Sequence, residues 1–318
     1  MGSMDCQDWE ISYVSYRGNI AMFESIMETT GTARPAPMEE LTVGAFAMET
    51  HAQSSNNGNW HGRPVALVAI CRRTLMVAGI HVARDGVTFY EVMQCLADAF
   101  LPRDAVDVGA VNPWPCEGVA DRAFVHALHD LTPAPFRRFR EALGLEVLPH
   151  HGPEPLVGDL AERWSQEAGI EIDSLHDGRA ALAHRFADRP LPGGDAIELE
   201  NVDRKLRRWI VDRYNAVSVP GIERSPLDLW REAAIGFVPR FVPEDAPGDL
   251  FRPEAFRTIG PRGVTWGGRT YWSEAVRDLL EKWGGAREYE VRADPLNPLS
   301  VEVRTPERKW MRLDARWV

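Results

Sequence analysis

The stretch from Val65 to Ala83, VALVAICRRTLMVAGIHVA, is apolar except around the adjacent Arg72 and Arg73 near its centre. A membrane-spanning helix needs roughly 20 predominantly apolar residues in a row. Two guanidiniums in the middle rule that out. Each half is instead a short apolar run rich in Val and Ile, the pattern of a strand buried on both faces. The two halves therefore read as neighbouring strands that need a layer of structure on either side.

The cover follows in sequence. Thr88 and Glu91 form a T-x-x-E capping box, and Val92, Leu96 and Phe100 recur at helical spacing behind it. A Pro/Trp loop, NPWPCEG, precedes a strand in AFVHAL, a helix around PFRRFREALG, a strand in LEVLPHH, and a helix carrying Leu160, Ala161, Glu162 and Trp164. Later, IELENVDRKLRRWIVDRYN places Leu199, Val202, Leu206, Trp209 and Ile210 on one face of a helix. With an earlier strand in TVGAFAMET, after the breaker-rich TGTARPAPMEE, three strands come before the first helix. Strands and helices alternate from there on. That order predicts an antiparallel meander joined to βα units, a mixed sheet with helices on its faces.

At 318 residues the chain is long enough for two domains. The expected division is an N-terminal arm and linker at 1–40, an α/β core at 41–235, a proline-rich linker at 236–251 and a second unit at 252–318. In that unit GVTWGGRTYW has a Gly267-Gly268 hairpin turn, and AREYEVRAD, LSVEVRT and KWMRLDARWV alternate as half-buried strands do. A helix opened by Ser273 and closed by glycines interrupts them. The expectation is a small β-barrel with Trp266, Trp272, Trp283, Trp310 and Trp317 in its core or at its rim.

The net charge of −11 is unevenly shared: residues from Arg252 onward hold 13 basic and 10 acidic side chains, leaving −14 on the remainder. Nucleic-acid binding draws on clustered Lys and Arg that displace counterions, so any DNA-facing surface is local or sits near the C-terminus. Four cysteines without a C-x-x-C pair argue against a disulfide scaffold or a thiolate zinc cluster and for free thiols. The first ten residues, MGSMDCQDWE, lack the basic and apolar regions of a signal peptide. A cytoplasmic location without membrane attachment is expected.

Several long phrases resemble the integrase-type transposases of the Mu phage, TniA and TnsB class, over roughly residues 42–318. LRRWIVDRYNAVSVPGIERSPLDLW is similar to the helix-plus-tail pattern of that family, with Trp209, Tyr214, Asn215, Gly221, Pro226 and Trp230 in the expected places. RGVTWGGRTYWSEAVRDLLEKWGG followed by YEVRADPLNPLSVEV resembles its C-terminal barrel, and NPWPCEGVADRAFV the approach to its second catalytic carboxylate. The resemblance implies an RNase H-like mixed sheet flanked by helices, followed by a small C-terminal β-barrel. The N-terminal DNA-binding domains of the family are not matched.

Such a fold implies strand transfer through two Mg²⁺ ions held by Asp, Asp and Glu. Carried over position by position, the triad becomes Glu49, His126 and Glu162. AFAMETHA puts Glu49 at the first position, one methylene longer than Asp. AFVHALHD puts His126 at the second, with Ala127 and Leu128 where a turn-forming Asn-Gly belongs. GDLAERW supplies Glu162, or Ala161 if the register slips by one. An imidazole in place of the bridging carboxylate removes a charge and offers nitrogen to a metal that prefers oxygen. The expected function is thus a catalytically degenerate transposase- or integrase-like protein, a DNA- or partner-protein-binding module with no bound metal or other cofactor. The alternative is an active recombinase with a Glu/His/Glu site using Mg²⁺ or Mn²⁺. A misaligned second position would bring in Asp130.

Arg304, Arg308, Lys309, Arg312 and Arg316 alternate with apolar residues as a half-exposed basic sheet face, the best nucleic-acid candidate, with largely sequence-independent contact. Transposase subunits or an AAA+ ATPase are the protein partners that the resemblance implies. Arg137, Arg138 and Arg140, and Lys205, Arg207 and Arg208, read as solvated helix faces or phosphate contacts. His126, His129, His150 and His151 lack a cysteine to complete a zinc site. Gly193–Asp195 is a loop rather than a phosphate cradle, and Ser225-Pro226 a helix start.

Overall fold

The computed structural model describes residues 35–48, 52–53, 61–83, 87–103, 105–126, 134–150, 154–168, 172–173, 197–218, 223–242, 250, 252, 254–266, 269–284, 287–294 and 297–316. The strands of its first part are β1 (Glu40–Met48), β2 (Ala52–Gln53), β3 (His61–Gly62), β4 (Val65–Cys71), β5 (Val77–Ala83), β6 (Arg122–His126), β7 (Glu146–His150), β8 (Ile172–Asp173) and β9 (Ile197–Glu198). The helices are α1 (Phe89–Phe100), α2 (Ala134–Leu143), α3 (Pro155–Ala168), α4 (Leu199–Trp209) and α5 (Pro226–Ala233).

The main sheet has the order β5-β4-β1-β6-β7, with β8 paired to the end of β1. β1, β4 and β5 form the antiparallel meander, while β6 lies parallel to β1 and β7 parallel to β6. Every residue of β4 is buried, as its unbroken apolar run requires. The Arg72-Arg73 turn, with Leu75 at a φ of 64°, reverses the chain into β5. Helix α1 starts where the capping box says: the Tyr90 N–H donates to Thr88 Oγ1 (3.2 Å), and the Thr88 N–H donates to Glu91 Oε2 (2.7 Å). Val92, Leu96 and Phe100 are buried. Each such side chain contributes about 1.5–3 kcal/mol of transfer free energy.

Phe100 stacks on Phe139 of α2, joining two helices over the sheet. Helix α3 crosses β1 at Gly44, where a Cβ would come within 2.7 Å of Val157 Cγ2. A glycine there lets helix and strand approach closely. On α4 the face Leu199, Val202, Leu206, Trp209 and Ile210 is buried as expected. The single helix anticipated over this stretch instead changes at Ile210 into a π-turn, Ile210–Tyr214. That turn carries Asn215, whose Oδ1 accepts the Val77 N–H of β5 at 3.1 Å. The polar loop after β1 is not wholly irregular either, since β2 pairs with β3 on one side and with β9 on the other in a small three-stranded sheet.

The C-terminal part contains β10 (Glu254–Thr258), β11 (Val264–Trp266), β12 (Arg269–Trp272), α6 (Ala275–Trp283), β13 (Glu288–Asp294), β14 (Asn297–Arg304) and β15 (Trp310–Ala315). They make an antiparallel sheet ordered β10-β13-β14-β15-β12-β11, and its two ends come into contact, so the sheet is a nearly closed barrel. Ile259, Val264, Tyr271, Val276, Leu279, Tyr289, Val291, Val301, Val303 and Leu313 fill it as a cluster distinct from that of the first part. Trp266, Trp272 and Trp283 pack against the edge of that cluster as rim residues; Trp317 lies outside the described residues. The fold class is therefore the expected one, a helix-flanked mixed sheet followed by a small β-barrel. The cap of α6 differs: Ser273 Oγ is buried without a hydrogen-bond partner, and the helix begins with the Val276 N–H on the Ser273 carbonyl.

Candidate functional site

β6 runs parallel to β1 but stops at His126, one residue past the Val43–Val125 pair, whereas β1 continues to Met48; what lies at the end of β6 is the candidate site. β1 is described as far as Met48, so Glu49 lies outside the described residues, as do Thr50, His51 and Asp130. β6 ends in His126. Its register partner on β7 is His150, and the two rings stand edge to face with centroids 6.3 Å apart. His150 Nε2 is 3.7 Å from Glu154 Oε2, a carboxylate just ahead of α3. Burial pushes the Glu154 carboxyl above its ordinary range, opposed by the positive charge of Arg72, the Leu156 N–H and His126. Arg72 in turn lies over the Phe124 ring at 4.4 Å and near Glu40, which takes a 2.7 Å ion pair from Arg122.

Glu162 sits two turns into α3 and is exposed; Gln166 Nε2 donates to its Oε1 at 3.2 Å. Ala161 beside it is buried, so α3 turns the carboxylate at 162 outward and the methyl inward. The side chains gathered at the strand ends are thus His126, His150 and Glu154. His150 and Glu154 carried no assignment as a pair in the sequence; the signal for them was the equal position of the two histidines at the ends of neighbouring strands. Among the described residues, no three His, Cys, Asp or Glu side chains converge closely enough to hold a metal ion. Two imidazoles and one carboxylate are also a poor match for a Mg²⁺ pair, which calls for bridging oxygens. No step through a metal follows from this donor set. His129, His151 and the Gly193–Asp195 loop lie outside the described residues.

The barrel arginines do fall on one alternating face, but acids share it. Arg304 Nη1 pairs with Glu290 Oε2 at 2.8 Å, Arg312 Nε with Asp314 Oδ1 at 3.0 Å, and Arg292 Nε with Glu302 Oε2 at 2.6 Å. Tryptophans take up more of the charge: Arg292 lies 3.9 Å over Trp310, and Arg316 4.8 Å over Trp272. Arg308, at a φ of 62°, and Lys309 occupy the exposed tip between β14 and β15. Both are exposed, as are Arg312 and Arg316, while Arg304 is half-buried.

A third feature was not foreseen. At the outer edge of the sheet, Arg207 of α4 donates to both oxygens of Asp98 (2.8 and 2.9 Å), to Asp203 (2.9 Å) and to the Ile80 carbonyl of β5 (2.8 Å). Asp98 Oδ2 also accepts the Ile80 N–H at 2.8 Å, and Trp114 Nε1 donates to the Val77 carbonyl at 2.7 Å. Arg207 is therefore a structural ion-pair residue rather than part of a solvated basic face. The i, i+4 spacing of Asp203 and Arg207, and an aspartate inside the apolar run CLADAF, were its signals. His81 lies here too, held down to about 4 by burial and by the nearby Arg207 charge, against the pull of Asp98. These groups border an open groove of about 640 Å³ with Val82 and Trp114. Cys71, Cys95 and Cys116 are buried free thiols, and burial pushes Cys116 up to about 12.

No curated protein matches the chain. Among solved structures, the cryo-EM structure of a simian T-cell lymphotropic virus intasome in complex with PP2A regulatory subunit B56 gamma is similar at 13% identity, with a TM-score of 0.33, covering 88% of this chain and 80% of that one. Residues 45–178, which run from β1 past α3 and hold the strand ends with His126, His150 and Glu154, match the family described as the TnsB C-terminal domain.

Proposed function

We propose that this chain is a transposase-related protein whose RNase H-like core (41–235) has lost strand-transfer chemistry, and that it serves, with its barrel (252–318), as a binding module in a DNA transposition or integration assembly. The observation that carries the reading is His126 at the end of β6, beside β1. The matched family segment spans this position, and there an anionic oxygen would be needed to bridge two Mg²⁺ ions. Its surroundings, His150 and a buried Glu154, add one carboxylate and a second nitrogen rather than the missing oxygens. The meander of three strands followed by two parallel ones supports the RNase H-like assignment. DNA contact, where it occurs, is through phosphates and falls on accessible cations such as Arg308 and Lys309; acidic neighbours on the same barrel face leave protein partners, such as transposase subunits or an AAA+ ATPase, the larger share of the binding surface.

Two assays test this. Incubation of the protein with linear and supercoiled duplex DNA in Mg²⁺ or Mn²⁺ should give no nicked or joined product. Product that disappears with Glu162→Ala would establish the active Glu49/His126/Glu162 reading instead. Fluorescence anisotropy with duplex DNA across a salt series then separates the binding modes. A steep loss of affinity with salt marks phosphate contact, and no binding at low salt assigns the module to protein partners.

A further inference from the structure

After α5 the chain does not leave the fold at once. Residues 234–242, AIGFVPRFV, run across the surface of the first part and are fastened there. Arg240 Nη2 donates to the Ala120 carbonyl (2.6 Å) and reaches Asp121 Oδ1 (3.2 Å), and its Nη1 donates to the Leu143 carbonyl (2.5 Å). The Arg240 carbonyl accepts the Val119 N–H at 2.6 Å. Gly118, at a φ of 116°, lies so close under Pro239 that a Cβ would sit 2.8 Å from the proline ring. Phe237 turns inward, edge-on to Trp230.

With Phe237 packed on Trp230 and Arg240 tied to the Ala120 and Leu143 carbonyls, three apolar side chains face out. Ile235 and Val238 are each 82% exposed and Phe241 is 55% exposed. Large apolar side chains seldom stand in water on a backbone pinned this firmly. Together they present on the order of 400 Å² of apolar surface, about half of what one partner contributes to a standard protein–protein interface. That area is too small to hold a second copy by itself. It is enough for a segment already tethered to the same chain, because tethering raises the local concentration into the millimolar range.

One such segment ends beside the strip. The Asp121 and Arg122 N–H groups both donate to the Glu39 carbonyl, so the segment 119–122 touches both residue 240 and residue 39. Residue 39, four residues after the described chain begins at Pro35, and residue 240 of the strip therefore both contact this one short segment. Those residues contain Trp9, Ile11, Tyr13, Val14, Tyr16, Ile20, Met22, Phe23, Ile26 and Met27, and they carry five acidic and two basic side chains. The strip segment 234–242 carries one arginine and no acid. Residues 28–34, at up to about 3.3 Å each, span the gap with length to spare.

We infer that the apolar strip Ile235–Val238–Phe241 is the docking surface for the chain's own N-terminal arm, residues 9–27. This holds whether or not the core retains catalysis. The test is amide hydrogen exchange on the full-length protein, comparing wild type with Val238→Asp/Phe241→Asp. In the wild type, amides within 9–27 should exchange at least about tenfold more slowly than in the variant, while the core amides of β1, β4 and β5 exchange alike in both. Arm amides that exchange at unprotected rates in the wild type would overturn the inference, as would protection that survives the double substitution. Sedimentation on the same samples closes the other route: a wild-type dimer that the variant splits, with no arm protection, would assign the strip to a second copy. Unchanged exchange of the β1, β4 and β5 amides, with a cooperative thermal transition, shows that the variant is folded.

Discussion

Replacing Arg207 with Met is the sharpest test of the account of the sheet edge. The substitution keeps the length and apolar stem of the side chain and deletes the guanidinium. It breaks the hydrogen bonds to Asp98, Asp203 and the Ile80 carbonyl, all at 2.8–3.1 Å. Removing one partner from a buried ion pair costs about 3–5 kcal/mol, chiefly because the remaining charge is stranded. Arg207 is 17% exposed and Asp98 and Asp203 are 22% and 34% exposed, so water relieves part of that penalty. The expected loss is about 3 kcal/mol, or a fall in thermal midpoint of roughly 6–12 °C for a unit of this size. The assay is thermal and urea unfolding followed by tryptophan fluorescence. Two further readouts identify the cause. The deficit should shrink as pH falls, because the stranded carboxylates bind protons in the folded variant that they do not bind when unfolded. Adding Asp98→Asn should restore part of the loss, since the amide oxygen can still accept the Ile80 N–H without a charge. A single-variant loss below about 1 kcal/mol, or no recovery in the double variant, would refute the reasoning.

Other outcomes follow from the same geometry. His81 is depressed to about 4 from an ordinary value of 6.5, so the unfolded chain binds the extra proton first. The stability that His81 contributes is present above pH 6.5 and lost as pH falls towards 4; His81→Gln should flatten that part of a stability–pH curve. Thr88→Ala deletes the cap of α1 and should cost about 1 kcal/mol in urea unfolding. If the protein binds DNA, Arg308→Glu with Lys309→Glu should weaken it for every sequence and reduce the salt slope by about one for each phosphate that is no longer neutralised. Arg304→Ala should instead loosen the barrel by leaving Glu290 unpaired, visible as faster amide exchange in β13 and β14.

Much of the fold was legible because it rests on local rules. An unbroken apolar run made β4, a capping box placed α1 at Thr88, and a helical apolar stripe marked the inward face of α4. The rest depended on pairings between residues far apart in sequence. Nothing near Ile210 announces a π-turn; it exists to deliver Asn215 to a strand more than a hundred residues earlier. The barrel arginines alternate as a basic face would, but strand pairing interleaves Glu290, Glu302 and Asp314 among them, and pairing register is invisible in a single strand. At the candidate site, His126 was picked out by position alone. Its neighbours His150 and Glu154 emerge only when β7 is laid parallel to β6 and α3 is turned back across the sheet.

The sealed border of β5 has a consequence for assembly. An outermost strand ordinarily offers its amides and carbonyls to any passing chain, inviting the sheet to grow. Here the outward groups of Val77 and Ile80 are occupied by Asn215, Trp114, Asp98 and Arg207, four side chains drawn from the π-turn, a loop and two helices. On the opposite border β7 is five residues long and contains Pro149, which has no amide hydrogen to give. At Val77 and Ile80, accordingly, β5 has no spare backbone group for a passing strand, and growth of the main sheet past that stretch would first have to displace four side chains.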